Sequence, residues 1–362
     1  MTRATNLILF ASVLAVGTGV IYITSTHDSR TTDQAAVVTT DDQHHTTQPS
    51  EDVHQHDHTS TAVDVTNAGM THVSAEKIVI STAAIETLPV HPSAPGMGHA
   101  GHITVNSGQV VVPFDLWITG KTFNVSNAEF YNLHHANIFR PDVRSVTCEG
   151  IYWRDMLSIG SDTMYQNNFS LPDGHAVFVP AGAPLQLDVM FHNPETADAE
   201  DLHNVQGSIE LTLAPADEVD SLTEAEYIRL ELTDNPCSGD NDSFIFTVPA
   251  NTNEYVIGQD YTANDPFVYT FSKPGRIVYA GGHVHGWEGG EKLDIFLNGQ
   301  NILSYQTTKS SPHPYHYQTE HKEEDIVIEA GDVLRLEATY TNHSDDPISG
   351  AMGMFGMFFV AD

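Results

Sequence analysis

The chain has 362 residues, enough for two ordinary domains plus extra segments, and carries 48 Asp and Glu against 14 Lys and Arg, a formal charge of −34. A surface that acidic repels nucleic acid and anionic membrane faces, so both are excluded as partners. Gly and Pro are plentiful and long amphipathic helical patterns are scarce, which turns the reading towards strands.

In chain order, residues 6–24 form an almost unbroken apolar run after Arg3. Its length lies at the border between the apolar region of a signal peptide and a membrane span. No small-x-small cleavage site follows and no Cys is placed for lipid attachment, so an uncleaved N-terminal anchor is favoured over a removed signal, with 1–25 as the segment concerned. Either way the remainder is expected to be exported, to a periplasmic or extracellular location. Residues 26–102 are rich in Thr, Ser, Asp and His with few large apolar side chains, too few to offset the entropy of ordering, and read as a disordered tether. Ten of the 21 histidines fall there, and clusters such as His54-Gln-His-Asp-His58 and Met97-Gly-His-Ala-Gly-His102 are either loose metal-capture groups or simply polar linker. Lys77-Ile-Val-Ile80 is a stray strand candidate within it.

From 103 the pattern changes. Ile103-Thr-Val, Gln109–Ile118, Ala176–Val179, Pro184–Phe191 and Gly207–Leu213 are short, β-branched and bounded by turn residues, which predicts a first β-sandwich over 103–215. Residues 216–242 are an acidic connector, where Ser221 and Glu224 have the spacing of a capping box for one short helix over 221–229. A second series runs over 243–362, with Phe244–Val248, Phe267–Phe271, Arg276–Ala280, Leu293–Leu297, Ile302–Tyr305, Ile326–Ile328 and Val333–Tyr340. Asn298-Gly299 between two of these runs predicts a type I′ hairpin. The fold class is therefore all-β: two consecutive antiparallel, jelly-roll-like sandwiches. Cys148 and Cys237 are the only cysteines. In an exported chain they suggest a disulfide tying the first sandwich to the connector, which would contribute roughly 4–5 kcal/mol on a chain-entropy estimate.

The chemistry gathers at a few places. His283 and His285 in Gly281-Gly-His-Val-His-Gly-Trp287 are two apart, so on a strand both imidazoles leave one face and form a ready pair of metal ligands. Ala351-Met-Gly-Met-Phe-Gly-Met357 adds thioethers, soft ligands that favour Cu(I), whereas imidazole suits zinc, copper, iron and nickel. Met352 and Met354 share a strand face and Met357 takes the other. Upstream lie the adjacent pair His134-His135 and, at the end of Leu187-Asp-Val-Met-Phe-His192, a further histidine. Neighbouring residues on a regular strand point to opposite faces, so His134 and His135 can share an ion only at a bulge or strand end.

These motifs, in this order over roughly 105–362, resemble the copper type II, ascorbate-dependent monooxygenases. Leu133-His-His-Ala-Asn-Ile-Phe139 resembles that family's His-His segment, Pro180–His192 the segment carrying a third histidine, Gly282-His-Val-His-Gly286 its His-x-His motif, and Tyr340-Thr-Asn-His with Gly350-Ala-Met352 the region of its methionine. The resemblance implies two copper ions: an electron-transfer ion on His134, His135 and His192, and an oxygen-activating ion on His283, His285 and Met352, with Met354 a rival for the thioether. It also implies ascorbate or another one-electron reductant, O2, and hydroxylation of a small organic substrate. Where the peptidylglycine members carry an Arg that grips the substrate carboxylate, two residues before His-x-His, this chain has Gly281; where they carry an Asn and a Tyr after the methionine it has Met354 and Gly356. A neutral residue cannot replace a bidentate guanidinium, so a C-terminal glycine peptide is not the expected substrate. The alternative is a non-catalytic exported copper-binding or storage protein on the same fold, with a purely structural adhesion-type sandwich as a third reading. His175, His203, His313, His316, His321 and His343 read as surface or supporting histidines, and no Gly-rich phosphate loop or Gly-x-Ser-x-Gly elbow occurs.

Overall fold

A computed structural model describes residues 69–74, 76–91, 102–145, 154–160, 168–195, 199–232, 246–259, 268–286, 289–309, 317–318 and 321–362. The apolar run 6–24, the histidine clusters between 27 and 58, and Cys148 and Cys237 lie outside them, as do Met97, His99, His313 and His316. Among the described residues no helix is long and apolar enough to cross a membrane.

The fold is all-β, two consecutive antiparallel sandwiches. The first is built from β1 (Gly69–Val73), β2 (Lys77–Ser81), β3 (Ile85–Leu88), β4 (Ile103–Asn106), β5 (Val110–Val111), β6 (Leu116–Ser126), β7 (Leu133–Arg140), β8 (Arg154–Gly160), β9 (Asn168–Ser170), β10 (His175–Val179), β11 (Pro184–Phe191), β12 (Leu202–Leu213) and β13 (Thr223–Glu224). One sheet has the order β1-β2-β12-β6-β10-β13, with β3 on β12 and β9 on β6; the other runs β4-β11-β7-β8, with β5 on β11. Strict alternation builds the core between them. Leu185, Leu187, Val189 and Phe191 all point inwards from β11 and meet Ile78, Ile80, Leu116, Ile118, Phe123, Ile209 and Leu211 from the larger sheet.

The second sandwich comprises β14 (Glu226–Leu232), β15 (Phe246–Val248), β16 (Thr252–Ile257), β17 (Val268–Thr270), β18 (Gly275–Val284), β19 (Gly290–Leu297), β20 (Gln300–Gln306), β21 (Thr308–Lys309), β22 (Tyr317–Gln318), β23 (His321–Ile328), β24 (Val333–Asn342), β25 (Ile348–Ala351) and β26 (Gly353–Ala361). Its sheets are β14-β26-β18-β23 and β16-β24-β19-β20, with β17 on β24; β15 pairs with β25 and β21 with β22. The first of these sheets is covered on both faces. Ile228, Leu230, Ile277, Phe355, Met357 and Phe359 pack inwards on Leu293, Ile295, Leu334, Leu336 and Ala338. From its other face Tyr227, Val278 and Phe358 join the core of the first sandwich, where Phe358 stacks on Phe169 at 4.9 Å and Tyr279 meets Phe169 edge-on at 4.7 Å. Double coverage explains why β26 is a continuous apolar run rather than an alternating one.

Several expectations change. The stretch 26–102 is not tether throughout, because β1–β3 complete the larger sheet of the first sandwich: Ile78, Ile80, Ile85 and Leu88, few but correctly spaced, are all buried in its core. The helix over 221–229 is replaced by a 3₁₀ turn at Val219–Ser221, then β13 and β14. The alternation of Ile228, Leu230 and Leu232, all buried against the second core, overrides the capping-box spacing. Gln109–Ile118 is not one strand: Pro113 lacks the N–H a ladder needs, and the chain breaks into β5 and β6 around it. The Asn298-Gly299 turn has φ of 51° and 81°, the double left-handed conformation of a type I′ hairpin joining β19 and β20.

Candidate metal centre

Three strand ends, of β4, β11 and β7, meet at one end of the smaller sheet of the first sandwich. β4 pairs with β11 so that Ile103 stands opposite Phe191. The residue before one strand and the residue after the other, His102 and His192, are therefore brought side by side, with ring centroids 5.2 Å apart. On the far side of β11, Met190 faces His135 and Phe191 faces Leu133, so His134 is skipped. It is the extra residue of a β-bulge, the device that lets neighbouring side chains turn the same way. The His134 and His135 rings lie 4.0 Å apart.

His192 is held tightly. Its backbone N–H donates to Asn132 O at 2.8 Å, the Asn132 side chain donates to His192 O at 3.1 Å, and its Nε2 donates to Tyr131 O at 2.6 Å. A carbonyl only accepts, so the proton sits on Nε2, and in the neutral ring the lone pair is at Nδ1. This is the carbonyl-to-imidazole arrangement that orients metal-binding histidines.

The second sandwich supplies a matching face. Ala280 and Val284 point into the second core, and a Cβ on Gly282 would come within 2.5 Å of the Tyr305 ring. His283 and His285, out of phase with these, turn towards the first sandwich. His283 stands opposite Met354 and Val284 opposite Gly353, which carries the register on to His285 beside Met352. Tyr340, fully buried, clasps that rung: its hydroxyl donates to Met352 O at 2.5 Å and accepts from the backbone N–H of His285 at 3.0 Å and of Met352 at 3.2 Å. Met357 points into the second core, the opposite face.

The two faces meet. One nitrogen from each of His134, His135 and His285 lies within 4.8 Å of the others, and His91, His102 and His192 form a second such group. His283 sits beside both neighbours, 5.6 Å from the His135 ring and 5.2 Å from that of His285. The groups touch where His102 stacks on His134 at 4.3 Å. Metal–nitrogen bonds of about 2.0–2.1 Å at tetrahedral to trigonal angles set nitrogens roughly 3.4–3.6 Å apart, so modest rotation of the rings would close either group on an ion. The imidazole set suits copper, and the register puts Met354 opposite His283.

The five histidines expected as ligands come to one region, and the nitrogens lying within 4.8 Å of one another group differently from the expected sets. His192 groups with His91 and His102, not with His134 and His135; His285 groups with His134 and His135 across the sandwich boundary. The sequence marks His102 only within the candidate metal-capture cluster Met97–His102 and does not mark His91 at all. For His102 the signal is its position directly before an apolar strand that pairs with the His192 strand. His91 has no such signal: its backbone N–H donates to Asn193 O and its carbonyl accepts from Glu195 N, contacts made by folding alone. His203 and His343 are exposed, as surface histidines should be, and His175 is half-buried.

Two ionisable groups of the first sandwich are shifted by burial. Burial pushes the Lys121 ammonium down to about 7, where it lies 5.6 Å over the Phe169 ring. Burial also pushes the Asp188 carboxyl up to about 6, opposed by a hydrogen bond from Gln186.

No protein-family model and no curated protein matches the chain. Among solved structures it is similar to the major capsid protein P2 from bacteriophage PM2, at 9% identity over 76% of this chain and 97% of that one, with a TM-score of 0.35. It is also similar to a peptide-N(4)-(N-acetyl-β-D-glucosaminyl) asparagine amidase, at 11% identity over 76% and 96% of the two chains and a TM-score of 0.30. Likenesses this distant say nothing about ligand or activity.

Proposed function

We propose that the protein is a copper-dependent monooxygenase that hydroxylates a small organic molecule with O2 and a one-electron reductant such as ascorbate. The observation that carries this reading is the convergence of His134 and His135 from one sandwich with His285 from the other, with Met354 in register opposite His283. Bound copper would supply one-electron redox chemistry and the activation of dioxygen. The chain's own residues would hold it: three imidazoles serve both oxidation states, and a thioether favours the reduced one. Tyr340 fixes the spacing of His285 and Met352, and burial of His134, His135, His283 and His285, none more than 8% exposed, keeps bulk water from the centre.

Substrate preference follows from what surrounds the histidines. Gly281 faces Gly356 across β18 and β26, and Tyr227 covers Gly356. Arg229 stands opposite Gly356 on the same face, but its guanidinium is ion-paired with Glu231 at 2.8 Å, and the charge of −34 disfavours anions on approach. A neutral or cationic, largely apolar molecule is the fitting class. The test is copper-loaded protein with ascorbate and O2, offered neutral aromatic and aliphatic candidates beside a glycine-extended peptide. Oxygen uptake with hydroxylation of a neutral candidate is expected. Efficient hydroxylation of the peptide would overturn the substrate assignment, and no ascorbate-dependent oxygen uptake at all would overturn the oxygenase reading.

One observation favours a second reading, a non-catalytic copper-binding protein. His102 ends the His-rich stretch and belongs to the group with His91 and His192, a layout suited to receiving metal from that stretch. Retention of copper without any oxygen uptake would support it.

A further inference from the structure

We infer that His91, His102 and His192 form a metal site of their own, so that the centre takes copper as a neighbouring pair rather than one ion in each sandwich. The inference deepens the oxygenase reading and rests on it for the choice of copper. Two of these three histidines lie in the stretch that composition marks as tether, yet both are placed by the fold. His102 is set opposite His192 by the β4–β11 register. His91 is tied to the chain just beyond His192: its N–H donates to Asn193 O at 3.0 Å, and Glu195 N donates to its carbonyl at 2.8 Å. Asn193 is anchored in turn, its side chain donating to Leu88 O and Glu200 O at 3.2 and 2.9 Å. The approach of the three rings is therefore fixed by backbone pairing.

The chemistry suits an ion. Three neutral imidazoles make a set that copper accepts, and the Tyr131 carbonyl, accepting from Nε2, orients the His192 ring. Adjacency to the other group is equally specific. His102 of one stacks on His134 of the other at 4.3 Å with planes 16° apart, and His134 and His192 lie 5.5 Å apart. Ions held by ligand rings in van der Waals contact are close enough for their unpaired electrons to interact.

The test uses the full chain loaded with Cu(II), freed of loosely held metal by dialysis, with copper counted per chain and its electron paramagnetic resonance recorded. The parent should show a spectrum broadened by a neighbouring spin. His91→Ala/His102→Ala should lose one ion and show the sharp spectrum of an isolated Cu(II), whereas His44→Ala/His45→Ala in the upstream stretch should leave both readouts unchanged. Circular dichroism and a thermal melt confirm folding, and His91→Gln/His102→Gln repeats the test with side chains of similar size. An unchanged copper count in the folded double variant would overturn the inference, as would loss of both ions together or a parent spectrum without interaction. A chain that loses one ion as expected but consumes no oxygen with ascorbate would leave this site standing while removing the oxygenase reading.

Discussion

At the scale of single residues, Tyr340 and Met352 make the sharpest demands. The Tyr340 hydroxyl serves three buried backbone groups, on His285 just after β18 and on Met352 just before β26. Tyr340→Phe leaves those groups without it, an expected cost of about 3 kcal/mol in urea unfolding. The same change frees the His285–Met352 rung, so Cu(I) affinity measured against a competing chelator should fall roughly tenfold or more. Met352 and Met354 are separable by position. Met352 stands beside His285, the residue just after β18 that groups with His134 and His135, whereas Met354 faces His283. Met352→Ile should remove the copper–sulfur component from X-ray absorption of the reduced protein, and Met354→Ile should leave it; the reverse result would move the thioether ligand to Met354. The candidate ligand types stand out in the sequence because imidazole and thioether declare their chemistry. The clasp was not, since nothing in Tyr340-Thr-Asn marks a phenol that reaches both strands.

At the scale of elements, periodicity told more than composition. The β11 alternation and the Asn-Gly hairpin were readable because each rests on local chemistry. The requirement for a bulge at His134-His135 followed from strand geometry, and the register shift falls at that pair. What stayed hidden was pairing over distance: β1–β3 look like tether because their few apolar residues become a core only when β12 lies alongside. A practical consequence is that removing the His-rich stretch at residue 103 would strip three strands from the first sandwich. Within β18, Gly282 lets the strand pass close to Tyr305 and Leu293. Gly282→Ala should destabilise by about 1–3 kcal/mol through overpacking and also displace His283 and His285, lowering bound copper. Gly299→Ala strains a left-handed turn residue, costing about 1 kcal/mol, and should leave copper binding intact. Equal copper loss in both variants would mean that β18 does not set the ligand positions.

At the scale of the whole molecule, the centre depends on how the sandwiches face each other. Aromatic contacts between Phe169, Tyr279 and Phe358 fill that boundary, and Lys121 lies over Phe169 within it. Because burial lowers the Lys121 pKa from its ordinary 10.5 to about 7, the folded state binds fewer protons than the unfolded one between those values. Stability should therefore rise with pH across that window, the cost of charging Lys121 being full below about 7 and gone above 10.5. Lys121→Met should raise the melting temperature by several degrees at pH 6 and by visibly less at pH 9; an equal gain at both would mean the lysine stays charged when folded. The boundary itself was beyond the sequence, in which the two histidine groups read as one site per sandwich. The histidine nitrogens group otherwise because the second sandwich turns the outer face of β18 onto the bulged end of β7. Anomalous diffraction at the copper edge from crystals of the copper-loaded full chain tests this most directly. The expected result is an ion ligated by His285 together with His134 and His135. Separate ions, one held by His134, His135 and His192 and the other by His283, His285 and Met352 with no ligand shared across the boundary, would contradict it.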